Sequence, residues 1–187
     1  KECDWSSDVC SSDLNMARKK KTKIGFSDLL MMIMALVGLV LAVVGICVPF
    51  FSQVSKTAFG NPEAVNMGLF DDYDVLELLM DGNLTIGLVQ GFAIASLALT
   101  ALATITVILG KLGVIKFKGI VKLISAIIVI VIAALVITFA ASYAAQSPLN
   151  VDGGDIASTS FIASTGAYLV MAGGVVSGVA LLVSKLK

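Results

Sequence analysis

The sequence predicts an all-α integral membrane protein, a bundle of four transmembrane helices closed at one end by a small extracytoplasmic loop cap. Three observations carry that prediction. Four apolar runs, at about 29–51, 84–109, 123–145 and 161–183, contain no Asp, Glu, Lys, Arg or His. At ~1.5 Å rise per residue, helices of this length cross the ~30 Å hydrocarbon core of a bilayer. Lys and Arg collect on alternate connections between the runs. The composition, 58% hydrophobic and 14% charged with no histidine, is far from that of a soluble domain of 187 residues.

The N-terminal segment stands apart. Asp4 to Leu14 reads DWSSDVCSSDL, which resembles the in-frame translation of a common sequencing-adapter string. Residues 1–15 are therefore expected to be an assembly artefact without ordered structure, and 16–187 the single membrane domain, opening at Met16. Cys3 and Cys10 fall inside the artefact, so they predict neither a disulfide nor a metal pair. Cys47 remains, deep in the first apolar run, where a lone cysteine is expected to serve as a small packing residue. Assembled reads and outer loops without disulfides point to a bacterial source.

Each element has its own justification. Ser27 and Asp28 precede the first run as an N-cap and a first-turn acid, and Pro49 ends it. Gly38 and Gly45, seven apart, share a face where a neighbouring helix can approach closely. The outer loop 52–83 holds a Gly60-Asn61-Pro62 turn signal, which predicts two short flanking strands. Farther along, Asp74 with Glu77 three residues on and Gly82 after them predicts a short capped helix. The second run carries Gly87 and Gly91, four apart, with Thr100 and Thr104 repeating that spacing. The third run is rich in Ile, Val and Ala. A polar return at 146–160 contains Asn150-Val151-Asp152-Gly153-Gly154-Asp155, a turn cluster. The fourth run holds Gly174 and Gly178, again four apart.

Charge fixes an expected orientation. From Met16 onward, eleven of twelve Lys and Arg fall before the first run, between the second and third, or after the fourth; Lys56 is the exception. By the positive-inside rule these segments are cytoplasmic, which places both termini inside and the protein in the plasma (inner) membrane. The acids gather on the opposite side, with Asp28 the one inner acid.

The apolar runs exclude several chemistries. Pumps and coupled transporters mark their path with intramembrane ionisable groups, and these runs have none. No nucleophile–base pair, metal-spaced His/Cys set or phosphate-cradling glycine loop is present, and the lack of histidine removes the usual general base at neutral pH. No enzyme, cofactor or nucleic-acid partner is expected. Asp71, Asp72 and Asp74 are the candidate cation ligands, since hard cations take several carboxylate oxygens, although their spacing does not fit an EF-hand loop. A solvated acidic helix explains them equally. Gly87/Gly91 and Gly174/Gly178 serve either contacts between chains or packing within the bundle. Basic inner loops suit anionic headgroups, but topology alone also accounts for them. Asn83-Leu84-Thr85 matches a glycosylation acceptor but abuts the membrane.

Four spans, cytoplasmic termini, a long first outer loop and a shorter second one resemble the claudin and peripheral myelin protein group of tetraspan proteins. Met67-Gly68-Leu69-Phe70 is similar to the Gly-Leu-Trp element of claudin first loops. The resemblance implies a left-handed four-helix bundle under a strand-containing loop layer. The claudin tryptophan and cysteine pair are missing here, so junction or paracellular pore function does not carry over.

The function expected from these readings is non-enzymatic: a scaffold or accessory subunit acting through lateral helix contacts and an acidic outer cap. Its partners are the lipid bilayer and either another protein or a second copy, met through the small-residue faces. The alternative is a homo-oligomeric channel or passive transporter with a cation-attracting outer mouth, its path lined by Gln90, Thr100, Thr104, Thr106 and Ser125.

Overall fold

The computed structural model describes residues 25–57, 63–71, 86–115, 119–146, 151–152 and 157–184. In chain order these form α1 (Phe26–Cys47), β1 (Phe51–Thr57), β2 (Glu63–Met67), α2 (Ile86–Lys111), α3 (Gly119–Ala145), β3 (Val151–Asp152), β4 (Ala157–Ala163) and α4 (Thr165–Val183). All four helices are long and apolar enough to cross a membrane. Their outward faces are apolar too: Val40, Ile94, Leu102 and Ile128 are all exposed. Such a surface suits a hydrocarbon solvent and would be costly in water. The strands join in one antiparallel sheet of order β2-β1-β4-β3, to which β3 adds two residues at an edge.

Helix boundaries depart from the apolar runs for local reasons. α1 ends at Cys47, not Phe51, because Val48 precedes Pro49 and takes an extended conformation, φ −95° and ψ 166°. Its N-cap is Gly25 rather than Ser27. Asp28, three residues on, accepts the Gly25 N–H at 3.4 Å, so the expected first-turn acid sits in place while Ser27 lies within the helix. α2 runs to Lys111 and closes on Gly113, at φ 72°. There the Val114 N–H reaches Leu109 O at 3.0 Å and the Gly113 N–H reaches Gly110 O at 3.3 Å, the paired bonds of a glycine C-cap. α3 begins at Gly119, four residues before its apolar run. α4 begins at Thr165, because Phe161 to Ala163 belong to β4.

The two strands expected around Gly60-Asn61-Pro62 are β1 and β2, paired from Phe51↔Met67 to Ser55↔Glu63. The second polar return contributes a strand that was not expected. β4 pairs with β1 over seven positions, Phe51↔Ala163 to Thr57↔Ala157, and lies at the centre of the sheet. Residues 1–15, the basic run Arg18 to Lys23, and the helix expected after Asp74 fall outside the described residues, as do Asp72 and Asp74 themselves.

α1 and α4 form the closest pair. In α1 the buried residues are Met31, Ala35, Gly38, Ala42 and Gly45, a 4-3-4-3 spacing that makes one seam. α4 answers with Gly166, Val170, Gly173, Ser177 and Ala180, the same spacing run antiparallel. Gly38 faces Gly173 and Gly45 faces Gly166. A Cβ added to Gly38 would stand 2.7 Å from Gly173 O, and one added to Gly45 2.8 Å from Gly166 O. Two backbones this close leave no room for a methyl group.

The same antiparallel pairing continues into the sheet without a break. α1 passes through Val48 to Phe50 into β1, while β4 passes through Ser164 into α4. At the joint the Ser164 N–H donates to Phe50 O at 2.8 Å and the Gly166 N–H to Pro49 O at 2.9 Å. The Gly166 amide, in the first turn of α4 and without a partner inside the helix, is thus satisfied by backbone, and Ser164 makes no side-chain cap bond. Phe50, Phe51, Phe161, Leu69 and Tyr143 are buried where sheet meets helices. Phe51 stacks on Phe161 with centroids 5.2 Å apart, a diagonal pair two residues along β4 from its ladder partner Ala163. Gln90 in α2 donates to Leu69 O at 3.0 Å and ties that helix to the segment after β2.

Candidate functional site

Of the six glycines in close helix contact, Gly38 and Gly45 lie on α1 and the other four occupy two faces of α4. Gly166 and Gly173 meet α1, as above. Gly174 meets α3, where a Cβ would collide with the Ala133 methyl, and a Cβ on Gly178 would stand 2.5 Å from Ile130 Cγ1. α4 is accordingly the most enclosed helix, with half of its apolar window buried. Of the residues singled out from sequence, Gly38, Gly45, Gly174 and Gly178 all lie inside the molecule. Gly166 and Gly173 carry the same contact from the partner side. Their signal was the seven-residue spacing of Gly38 and Gly45 repeated in the fourth run, legible only once the two helices are known to be antiparallel neighbours.

Gly87 and Gly91 are placed differently. Both are exposed, and a Cβ on Gly91 would meet nothing within 4 Å. With Leu88, Phe92 and Ala95 they border a shallow apolar depression of ≈ 180 Å³ on the outward face of α2. Phe92, at its border, stacks on Phe139 of α3, centroids 4.6 Å apart, which holds the ring in one orientation. The depression lies one to three turns from the sheet end of α2, and small residues make its floor.

The interior holds hydroxyls rather than charges. Thr100 donates to Ser96 O at 2.7 Å; the single O–H of Thr104 is shared between Thr100 O at 2.9 Å and Ala35 O at 3.0 Å. Ser177 of α4 donates to the same Ala35 carbonyl at 3.2 Å. One carbonyl of α1 therefore gathers donors from two other helices, and Thr100, Thr104 and Ser177 have their hydroxyls engaged. Ser96 Oγ is buried with no hydrogen-bond partner among the described residues.

The five residues expected to line a polar path lie in three separate places. Gln90 is tied to the loop layer, and Thr100 and Thr104 are interior. Thr106 and Ser125 border a cleft between α2 and α3 that opens outward. Within one chain they do not share a lumen.

Charges sit at the two ends. Glu63 and Asp71 are exposed near the sheet, and the Asp71 carboxylate accepts the Gly68 N–H at 2.5 Å, closing the turn after β2. Asp71 is the one described member of the candidate cation set, and no group of three His, Cys, Asp or Glu that would hold a metal occurs among the described residues. At the far end Asp28 of α1 and Lys111 of α2 form an ion pair at 2.7 Å, mostly shielded from solvent. Cys47 is a free thiol exposed on α1.

No known family model matches this chain, and no curated protein is similar to it in sequence.

Proposed function

We propose that this chain is a non-enzymatic membrane scaffold or accessory subunit, a four-helix transmembrane bundle that acts through lateral helix contacts and an acidic outer cap. One observation carries the reading. Six close-contact glycines are filled by the chain's own helices, whereas Gly87 and Gly91 are exposed and a Cβ on Gly91 would meet nothing within 4 Å among the described residues. A helix interior gains stability when Gly is replaced by Ala, so a small pair left open on the surface suits an approach by a helix from another chain. The lack of histidine and of charge within the apolar runs supports a role without acid–base chemistry.

In this reading the sheet end is extracytoplasmic and the Lys-rich end cytoplasmic, in a bacterial inner membrane, because basic residues gather at the latter. The partner is another membrane protein or a second copy. The homo-oligomeric channel remains the second reading only in a form whose lumen lies between copies, since the polar residues of one chain face three ways. The resemblance to claudin-type tetraspans fits the strand-bearing outer layer and adds no function.

Photo-crosslinking from position 88, beside the open glycines, tests the proposal in native membranes. The expected result is a discrete adduct with a protein or a second copy, lost on Gly91→Leu. Adducts with lipid alone would overturn it.

A further inference from the structure

We propose that the α2–α3 seam, at the end of the helices away from the sheet, is a binding site for one anionic phospholipid. This rests on the helices lying in a bilayer and is independent of the Gly87/Gly91 face. The seam is graded from charge to hydroxyl to hydrocarbon. On α2 it runs Gly110, Thr106, Ala103, Leu99, a 4-3-4 spacing that keeps them on one face. On α3, antiparallel to it, it runs Lys122, Ser125, Val129.

At the mouth, the Lys122 ammonium reaches across to α2 and lies 3.7 Å from where a Cβ on Gly110 would stand. A methyl group there would only touch the ammonium, and glycine leaves that side of it uncovered. The neighbouring cation, Lys111, is neutralised by Asp28, whereas no acid among the described residues pairs with Lys122. One turn deeper, Thr106 and Ser125 line an otherwise apolar cleft of ≈ 140 Å³, continued by Leu99, Ala103 and Val129 and backed by Leu181 of α4. Thr106 already donates to Leu102 O at 2.8 Å, which fixes its side chain at the cleft wall.

A phospholipid has the same order along its length: phosphate, ester groups, acyl chain. The phosphate meets Lys122, the esters lie level with Thr106 and Ser125, and one chain enters the apolar part. Lys122, with no acid paired to it among the described residues, selects a headgroup with net negative charge over a zwitterionic one, whose own ammonium would meet Lys122.

Native mass spectrometry of the full chain, titrated with phosphatidylglycerol or phosphatidylcholine, tests this. The first phosphatidylglycerol should bind about fivefold more tightly than phosphatidylcholine, as expected for one lysine near a headgroup. Lys122→Gln should abolish that preference, Ser125→Phe should remove the first binding event for both lipids, and Lys56→Gln at the sheet end should change neither. Equal binding of the two lipids by the unsubstituted chain, or a preference that survives K122Q, would overturn the proposal. K122Q leaves the apolar packing untouched, so it stays decisive even if S125F does not fold.

Discussion

At the scale of single residues, the same change at two glycines should act in opposite directions. Gly38→Ala places a methyl 2.7 Å from Gly173 O and closer still to Ser177 Oγ. Backbone must move, so a loss of about 1–3 kcal/mol is expected. Gly91→Ala meets open space. There the helix-propensity gain, up to about 1 kcal/mol, is all that remains. Thermal unfolding of both variants in detergent gives the two signs. Ser177→Ala removes one of the two donors on Ala35 O, and because Thr104 keeps the carbonyl bonded the cost should be about 0.6 kcal/mol. In that background Gly38→Ala should become less costly but not free, since Gly173 O still stands in the way; a double-mutant cycle reads the difference. Residue identity made Gly38 and Gly45 legible as contact positions. It did not separate them from Gly87 and Gly91, because which glycine finds a partner depends on how the helices are arranged about α4.

At the scale of elements, the α1–β1 rod and the β4–α4 rod behave as one antiparallel pair, bonded along their strands and sealed by glycine along their helices. The strands β1 and β4 are central, while β2 and β3 are edges. Hydrogen exchange should therefore be slower at Gln53 to Ser55 and Thr159 to Ile162 than at Ala64 to Asn66, by at least an order of magnitude in protection; equal rates would show that the sheet opens as a unit. The element types were legible from hydropathy and length, and the hairpin from its Gly-Asn-Pro turn. β4 was not. Its end, Phe161-Ile162-Ala163, is apolar and merges with the run that follows, so a window of hydropathy counts it as span, whereas pairing with β1 draws it into the sheet. The shift of the first helix end was legible in principle from Pro49, whose effect falls on the residue before it. At the far end, the Asp28–Lys111 pair ties the start of α1 to the end of α2. Lys111→Met should cost about 1 kcal/mol and the loss should shrink at high salt, measured by unfolding at two ionic strengths.

At the scale of the whole molecule, three helices wrap a fourth, and the enclosed helix is joined in line to the sheet. The core is built from Gly, Ala, Ser, Thr and Val among the helices and from Phe and Tyr beneath the sheet. Close packing of small residues with shared hydroxyl bonds holds the helices where lipid offers no hydrophobic drive for association. Among the described residues the packing leaves the Gly87–Gly91 face of α2 open, and the account turns on whether another chain covers it. That four helices are long and apolar enough to cross a membrane was legible from hydropathy and run length. The open face was not, because the glycine spacing in the sequence is the same whether the contact is internal or external. The most direct measurement is native mass spectrometry of the full chain after gentle extraction, beside the Gly91→Leu variant. The account predicts that the unsubstituted chain leaves the membrane bound to a second protein or a second copy, and that G91L leaves as a folded monomer. An unsubstituted chain that emerges as a stable monomer, or a complex that G91L does not disturb, would contradict it.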